Sequence, residues 1–134
     1  MNENIEVINP NSGEFILEQL RRFGSDLGRK HEVSFYLYFP SEDSAQQAAR
    51  RAESVGLKPE VSPPLKDLSD SRWLCLLHCP HVPDEGILDG ISLFCTKLVS
   101  EFDGEFDGWE ASLELEEGKN PTIPSSWSPK AVQG

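Results

Sequence analysis

The chain has 134 residues, 37% of them apolar, enough for one compact domain with a modest core. Its 23 acids against 12 lysines and arginines leave a formal net charge of −11, a field that repels phosphate backbones, so no direct nucleic-acid partner is expected. No apolar stretch approaches the roughly 20 residues a membrane helix needs, and Met1-Asn2-Glu3 opens no basic-then-apolar leader. The expectation is a cytoplasmic protein without membrane contact, its three cysteines free thiols.

In chain order, Ile16, Leu17, Leu20 and Phe23 make a short apolar stripe and Gly24 is placed as a stop, which predicts a first helix over about 12–24. Val33, Phe35, Leu37 and Phe39 then alternate with Glu32, Ser34, Tyr36 and Tyr38 until Pro40, the pattern of a first strand. Ser41 can cap the next helix, where Ala45, Ala48, Ala49, Ala52 and Val55 form a small-residue face ending at Gly56. Such a face packs closely on a sheet. Leu57 to Val61 reads as a short second strand, at a sheet edge because Pro59 lacks a donor. A polar loop follows through Ser71. Trp73 to Cys79 is then an almost continuous apolar run, as expected of a central strand covered on both faces or nearly so.

The last part of the pattern turns on Glu101-Phe102-Asp103-Gly104-Glu105-Phe106-Asp107-Gly108-Trp109, a helix-to-strand joint. Upstream, Ile87, Leu88, Ile91, Phe94, Cys95, Leu98, Val99 and Phe102 recur at spacings of three and four, one face of a long helix. Downstream, Trp109, Ala111, Leu113 and Leu115 alternate with Glu110, Ser112, Glu114 and Glu116, a strand with one buried face. Phe106, just before Gly108, is out of phase, which predicts a bulge or bend that re-aims the chain there. A helix followed by βαββαβ is an α+β, ferredoxin-like arrangement with helices on one face of an antiparallel sheet. Its extra N-terminal helix spans about 12–24 and its core about 31–116, within a single domain over 1–117. The Pro- and Ser-rich stretch 118–134 has no periodicity and reads as a tail, with Trp127 as the residue that folds back or docks elsewhere.

Cys75, His78, Cys79, His81 and Cys95 are metal-capable types, but Cys75 and Cys79 lie about 13 Å apart along a strand, too far to share a zinc. No metal site is expected. Glu105 and Asp107, at i and i+2, would share a strand face with Cα atoms about 6.6 Å apart. Acid-base work needs a pocket that separates their pKa values, and none is apparent, so Asp107 is assigned to shaping the turn before Gly108. No phosphate loop, dinucleotide fingerprint or nucleophile motif is present, and Gly86 and Gly90 fall inside a helix pattern. The expectation is a protein with no catalytic residues and no cofactor. Tyr36 and Tyr38 point away from the core side of the first strand. The uses open for them are base stacking, as in RNA-recognition modules, an internal role in which they pair across strands or lie beneath the N-terminal helix or the tail, and contact with a protein.

Residues 84–117 hold eleven acids against Lys97 alone, a net −10. Asp84, Glu85 and Asp89 begin the long helix, where its dipole stabilises them. Glu101, Asp103, Glu105 and Asp107 gather where that dipole disfavours negative charge. Their placement suggests steering towards a basic protein surface, the alternative being a solvated face that keeps the protein soluble.

The joint, with Phe102-Asp103 and then Glu105-Phe106-Asp107-Gly108-Trp109 before a closing strand, resembles the regulator of ribonuclease E activity B (RraB) family. The opening agrees: Leu17-Glu18-Gln19-Leu20 leads into Gly24-Ser25-Asp26 and the strand from His31. The likeness covers roughly residues 14 to 116. It implies the ferredoxin-like fold and a non-enzymatic modulator, an inhibitor of RNA turnover that binds ribonuclease E and acts by occlusion or remodelling. The candidate partner-binding residues are Glu101, Asp103, Glu105, Asp107, Tyr36 and Tyr38. The family's usual acidic tail is missing, since Lys119 and Lys130 follow Glu117 with no further acid. The alternatives are an RNA-recognition-like module using the tyrosines and an adaptor for an unrelated protein.

Overall fold

Each helix starts on a side chain that accepts a backbone N–H from its first turn. In the computed structural model, which describes residues 9–66 and 69–115, Ser12 caps α1 (Gly13–Arg22), Ser41 caps α2 (Glu42–Ser54) and Asp84 caps α3 (Glu85–Glu101). The helices also end alike. One residue past each C-cap the chain enters the left-handed region, at Gly24 (φ 81°), Gly56 (φ 91°) and Asp103 (φ 56°). The following N–H returns to a last-turn carbonyl, from Ser25 to Leu20 (2.9 Å), Leu57 to Ala52 (3.0 Å) and Gly104 to Val99 (2.7 Å). These are Schellman closures, and only the third lacks glycine at the left-handed position.

The strands are β1 (His31–Phe39), β2 (Lys58–Ser62), β3 (Trp73–His81) and β4 (Glu105–Ala111). They form one antiparallel sheet in the order β2-β3-β1-β4, so the fold is α+β with short β2 and bulged β4 at the edges. Both βαβ connections skip one strand, which helps place α2 and α3 on the same face. There the fully buried Phe35, Leu37, Phe39, Cys75 and Leu77 meet the alanine face of α2 and Leu88, Cys95 and Leu98 of α3. Among the described residues, no helix is long and apolar enough to cross a membrane.

The predicted bulge is present. The β1–β4 register shifts between Tyr36 and Leu37, and Gly108 has φ 130°. Phe106 and Trp109, three apart, therefore stand opposite Leu37 and Phe35 on the same inner face.

Two contacts outside the sheet fix α1. Backbone Gly13 packs against the Glu85 carbonyl at the start of α3, with no room for a Cβ, and its N–H donates to Asp89 Oδ1 at 2.6 Å. Just before it, the Pro10 carbonyl accepts from Trp109 Nε1 at 2.8 Å. At the other end of α1, buried His31 faces the Arg29 carbonyl with Nδ1 (2.8 Å) and the Ser25 hydroxyl with Nε2 (2.6 Å). A carbonyl only accepts, so Nδ1 carries the proton and Nε2 accepts from Ser25. Ser25 Oγ in turn accepts the Glu114 N–H at 2.8 Å, tying the chain beyond β4 to the Gly-Ser-Asp turn.

Two expectations are corrected. Val55, expected on the apolar face of α2, is the C-cap residue and 58% exposed. Ile87 points outward because the buried stripe of α3 runs through Leu88, Ser92, Cys95 and Leu98. In β3, expected to be covered on both faces or nearly so, Cys75 and Leu77 are buried against the helices, while Leu74 and Leu76 on the other face are half-buried and take no part in the core. The apolar run reflects two different surfaces, one in the core and one outside it. The 118–134 tail and Trp127 lie outside the described residues.

Candidate functional site

With the helices on one side, the other side of the sheet is where unused chemistry collects. Register places Tyr36 opposite Leu76 and Tyr38 opposite Leu74, making a four-residue apolar tile on that face. Both tyrosines are half-buried and engaged. The Tyr36 hydroxyl donates to Glu110 of β4, and burial first, then the carboxylate, pushes the phenol well above its ordinary value. Arg72 lies over the Tyr38 ring, 4.5 Å from its centroid. That guanidinium is held by Asp70, through bonds of 2.7 and 2.9 Å, and by Glu105. Hydrogen bonds from Arg72 pull the Asp70 carboxyl down to about 2. A base stacking on Tyr38 from this side would have to displace an arginine already paired to two acids.

Beside the tile, Ser34 Oγ lies 2.9 Å from His78 Nδ1, and His78 Nε2 lies 3.0 Å from Glu60. The residue types are those of a nucleophilic triad, but the burial runs the wrong way. Ser34 is 5% exposed and the Glu60 side chain 64%, whereas a hydrolase opens its serine to substrate and buries its acid. The row is a polar ladder across β1, β3 and β2. β3 itself continues through Pro80 to His81, so His78 faces outward while Cys75 faces the core. Burial pushes the Cys75 and Cys95 thiols up to about 12.

The joint acids have internal partners that composition did not reveal. Glu101 takes a two-pronged pair from Arg51 of α2, both bonds 2.7 Å, which holds its carboxyl below the usual range. Arg51 also lies over the Phe102 ring, 5.5 Å from its centroid. Glu105 pairs with Arg72. The expectation that these two acids lack an intramolecular purpose is thus overturned, because their cations come from 50 and 33 residues away in sequence. Asp103 occupies the left-handed residue after α3, and Asp107 is the extra residue of the bulge, so Glu105 and Asp107 are not related by regular strand alternation. Of the six candidates, Glu105 and Tyr38 meet through Arg72, Tyr36 stands alongside, and Glu101 sits apart against α2. Sequence reading missed Arg51, Arg72, Glu110, Leu74 and Leu76. The two leucines were findable, since once the helices are assigned to one face their parity puts them on the other.

The family described as Regulator of ribonuclease activity B matches residues 11–111 of the chain. No curated protein matches it.

Proposed function

The chain belongs to the RraB family of ribonuclease-activity regulators, and on that premise we propose that it is a non-enzymatic inhibitor that binds ribonuclease E and lowers its activity on RNA. The observation that carries this is the family match, which spans every helix and strand from α1 to the end of β4. The strand order β2-β3-β1-β4, with both βαβ connections skipping a strand, supports reading the fold as ferredoxin-like. On this reading residues 1–117 form one cytoplasmic domain and 118–134 a tail.

The acidic joint and the tyrosine face suit a basic protein surface better than an RNA strand. The carboxylates of Glu105 and Glu110 flank the tyrosines on β4, where phosphates would otherwise approach. Inhibition then works by occluding the endonuclease or remodelling it. Cleavage of a fluorogenic single-stranded RNA by purified ribonuclease E, titrated with this protein, tests the proposal. The expected result is a saturable fall in rate with a co-sedimenting complex. Unchanged cleavage with no complex would sink it.

A further inference from the structure

We infer that the outward face of α3 pairs with the same face of a second copy of this chain, the two helices packing antiparallel about a two-fold axis at Leu93. This stands apart from the inhibitor reading, since it needs no ribonuclease. The buried stripe through Leu88, Ser92, Cys95 and Leu98 turns Gly86, Gly90, Leu93 and Lys97 away from the sheet, and all four are exposed. Leu93 is 63% exposed in the middle of the helix. Asp89, Leu93 and Lys97, four apart, make one ridge. The ridge beside it is cut down by Gly86 and Gly90, which leaves a groove. A Cβ at Gly90 would meet nothing within 4 Å, so no contact inside this chain calls for glycine there, although alanine suits a helix better.

The ridge complements itself, and this selects a second copy as the occupant. Run antiparallel about Leu93, Asp89 of one copy stands beside Lys97 of the other, Gly90 beside Thr96 and Gly86 beside Ser100. Asp89 gives Oδ1 to the Gly13 N–H, which leaves Oδ2 for the lysine. Lys97 neighbours Glu101 one turn on, but that carboxylate is already forked by Arg51. Glu85 and Glu101 end the ridge as a like-charge pair. Helices packed ridge into groove in this way cross at about 50°, so they have diverged there, and Arg51 neutralises Glu101. Two chains at −11 repel at long range and one helix pair is a small interface, so the dimer is a weak one.

Sedimentation equilibrium of the whole chain at physiological salt, from about 10 µM to 1 mM, tests this. The expected result is a reversible monomer–dimer equilibrium. Amide shifts of the isotope-labelled parent should change on dilution and centre on Gly86, Gly90 and Leu93, a readout that needs no mutant to fold. Leu93→Asp should weaken pairing about tenfold or more. Leu65→Asp, the same change at the 69% exposed Leu65, should leave it unaltered. Lys97→Glu sets four acids along the two ridges and should weaken pairing several-fold. Gly90→Ala should weaken it while the melting temperature holds or rises, a combination that a glycine needed only by the fold would not give. A monomer throughout the range, shifts centred elsewhere, equal losses in the two leucine variants or tighter pairing of Lys97→Glu would overturn the inference. So would α3 shifts that follow deletion of residues 118–134 or addition of ribonuclease E rather than dilution, which would put the tail or the endonuclease on this face.

Discussion

Asp103 has a side chain where the other two helix closures have none. A non-glycine residue in the left-handed region is strained by about 1 kcal/mol, less for aspartate than for most. The next residue is tightly constrained: a Cβ on Gly104 would lie 2.6 Å from the Phe39 ring and the Tyr38 carbonyl. Asp103→Gly should therefore raise stability, by up to about 1 kcal/mol in chemical denaturation, and Gly104→Ala should lower it by about 1–3 kcal/mol. Trp109 combines a buried ring with the Nε1 bond to Pro10, so Trp109→Ala should lose about 3–5 kcal/mol. Its burial was legible from strand parity. The bond to Pro10 was not, because it joins residues 99 apart. At Cys75 and Cys95 the folded thiols titrate near 12, above the unfolded value of 9.0. A raised value favours the protonated folded form, so this contribution is full below about pH 9 and is lost as pH rises towards 12. At pH 8 an alkylating reagent should reach the partly exposed Cys79 first and the other two only on unfolding.

At the scale of elements, periodicity carried most of what could be read. The alternation of β1, the alanine face of α2 and the misplaced phase of Phe106 each report a local geometry, and each appears in the structure. What failed was any inference needing to know which surface lies opposite. In β3, Leu74 and Leu76 alternate with Cys75 and Leu77, and a half-buried apolar face outside the core is indistinguishable in sequence from a core face. The same blindness hid the docking of α1 on α3, where Gly13 gives no periodic signal. That docking yields a prediction. Gly13→Ala places a methyl group against the Glu85 carbonyl, so α1 must shift from α3 and loosen the Asp89 bond. Amide hydrogen exchange should quicken across Gly13–Arg22 by more than in the central strands β1 and β3. Uniform acceleration throughout the chain would mean instead that α1 is part of the global unfolding unit.

Across the whole molecule the charge asymmetry was plain from sequence, but its local meaning was not, because composition counts acids without saying which are paired. Arg51 and Arg72 answer two of the four joint acids, and this separates stability from long-range attraction. Association rate responds to the summed field, screened over about 10 Å at moderate salt, whereas stability responds to the partner a carboxylate touches. If the proposed function holds, Glu101→Lys and Asp103→Asn should both slow association with ribonuclease E, the first more because it changes the charge by two. Their effects on melting should differ in sign. Glu101→Lys removes the Arg51 pair and sets two cations together, so the melting temperature should fall. Asp103→Asn removes a negative charge from a helix C-terminus and keeps a side chain that tolerates the left-handed region, so it should hold or rise. Surface plasmon resonance over a salt series measures the rates, and the parent's should drop steeply between low and physiological salt. An association rate indifferent to salt and to both substitutions would reduce the −10 of residues 84–117 to a solubility device.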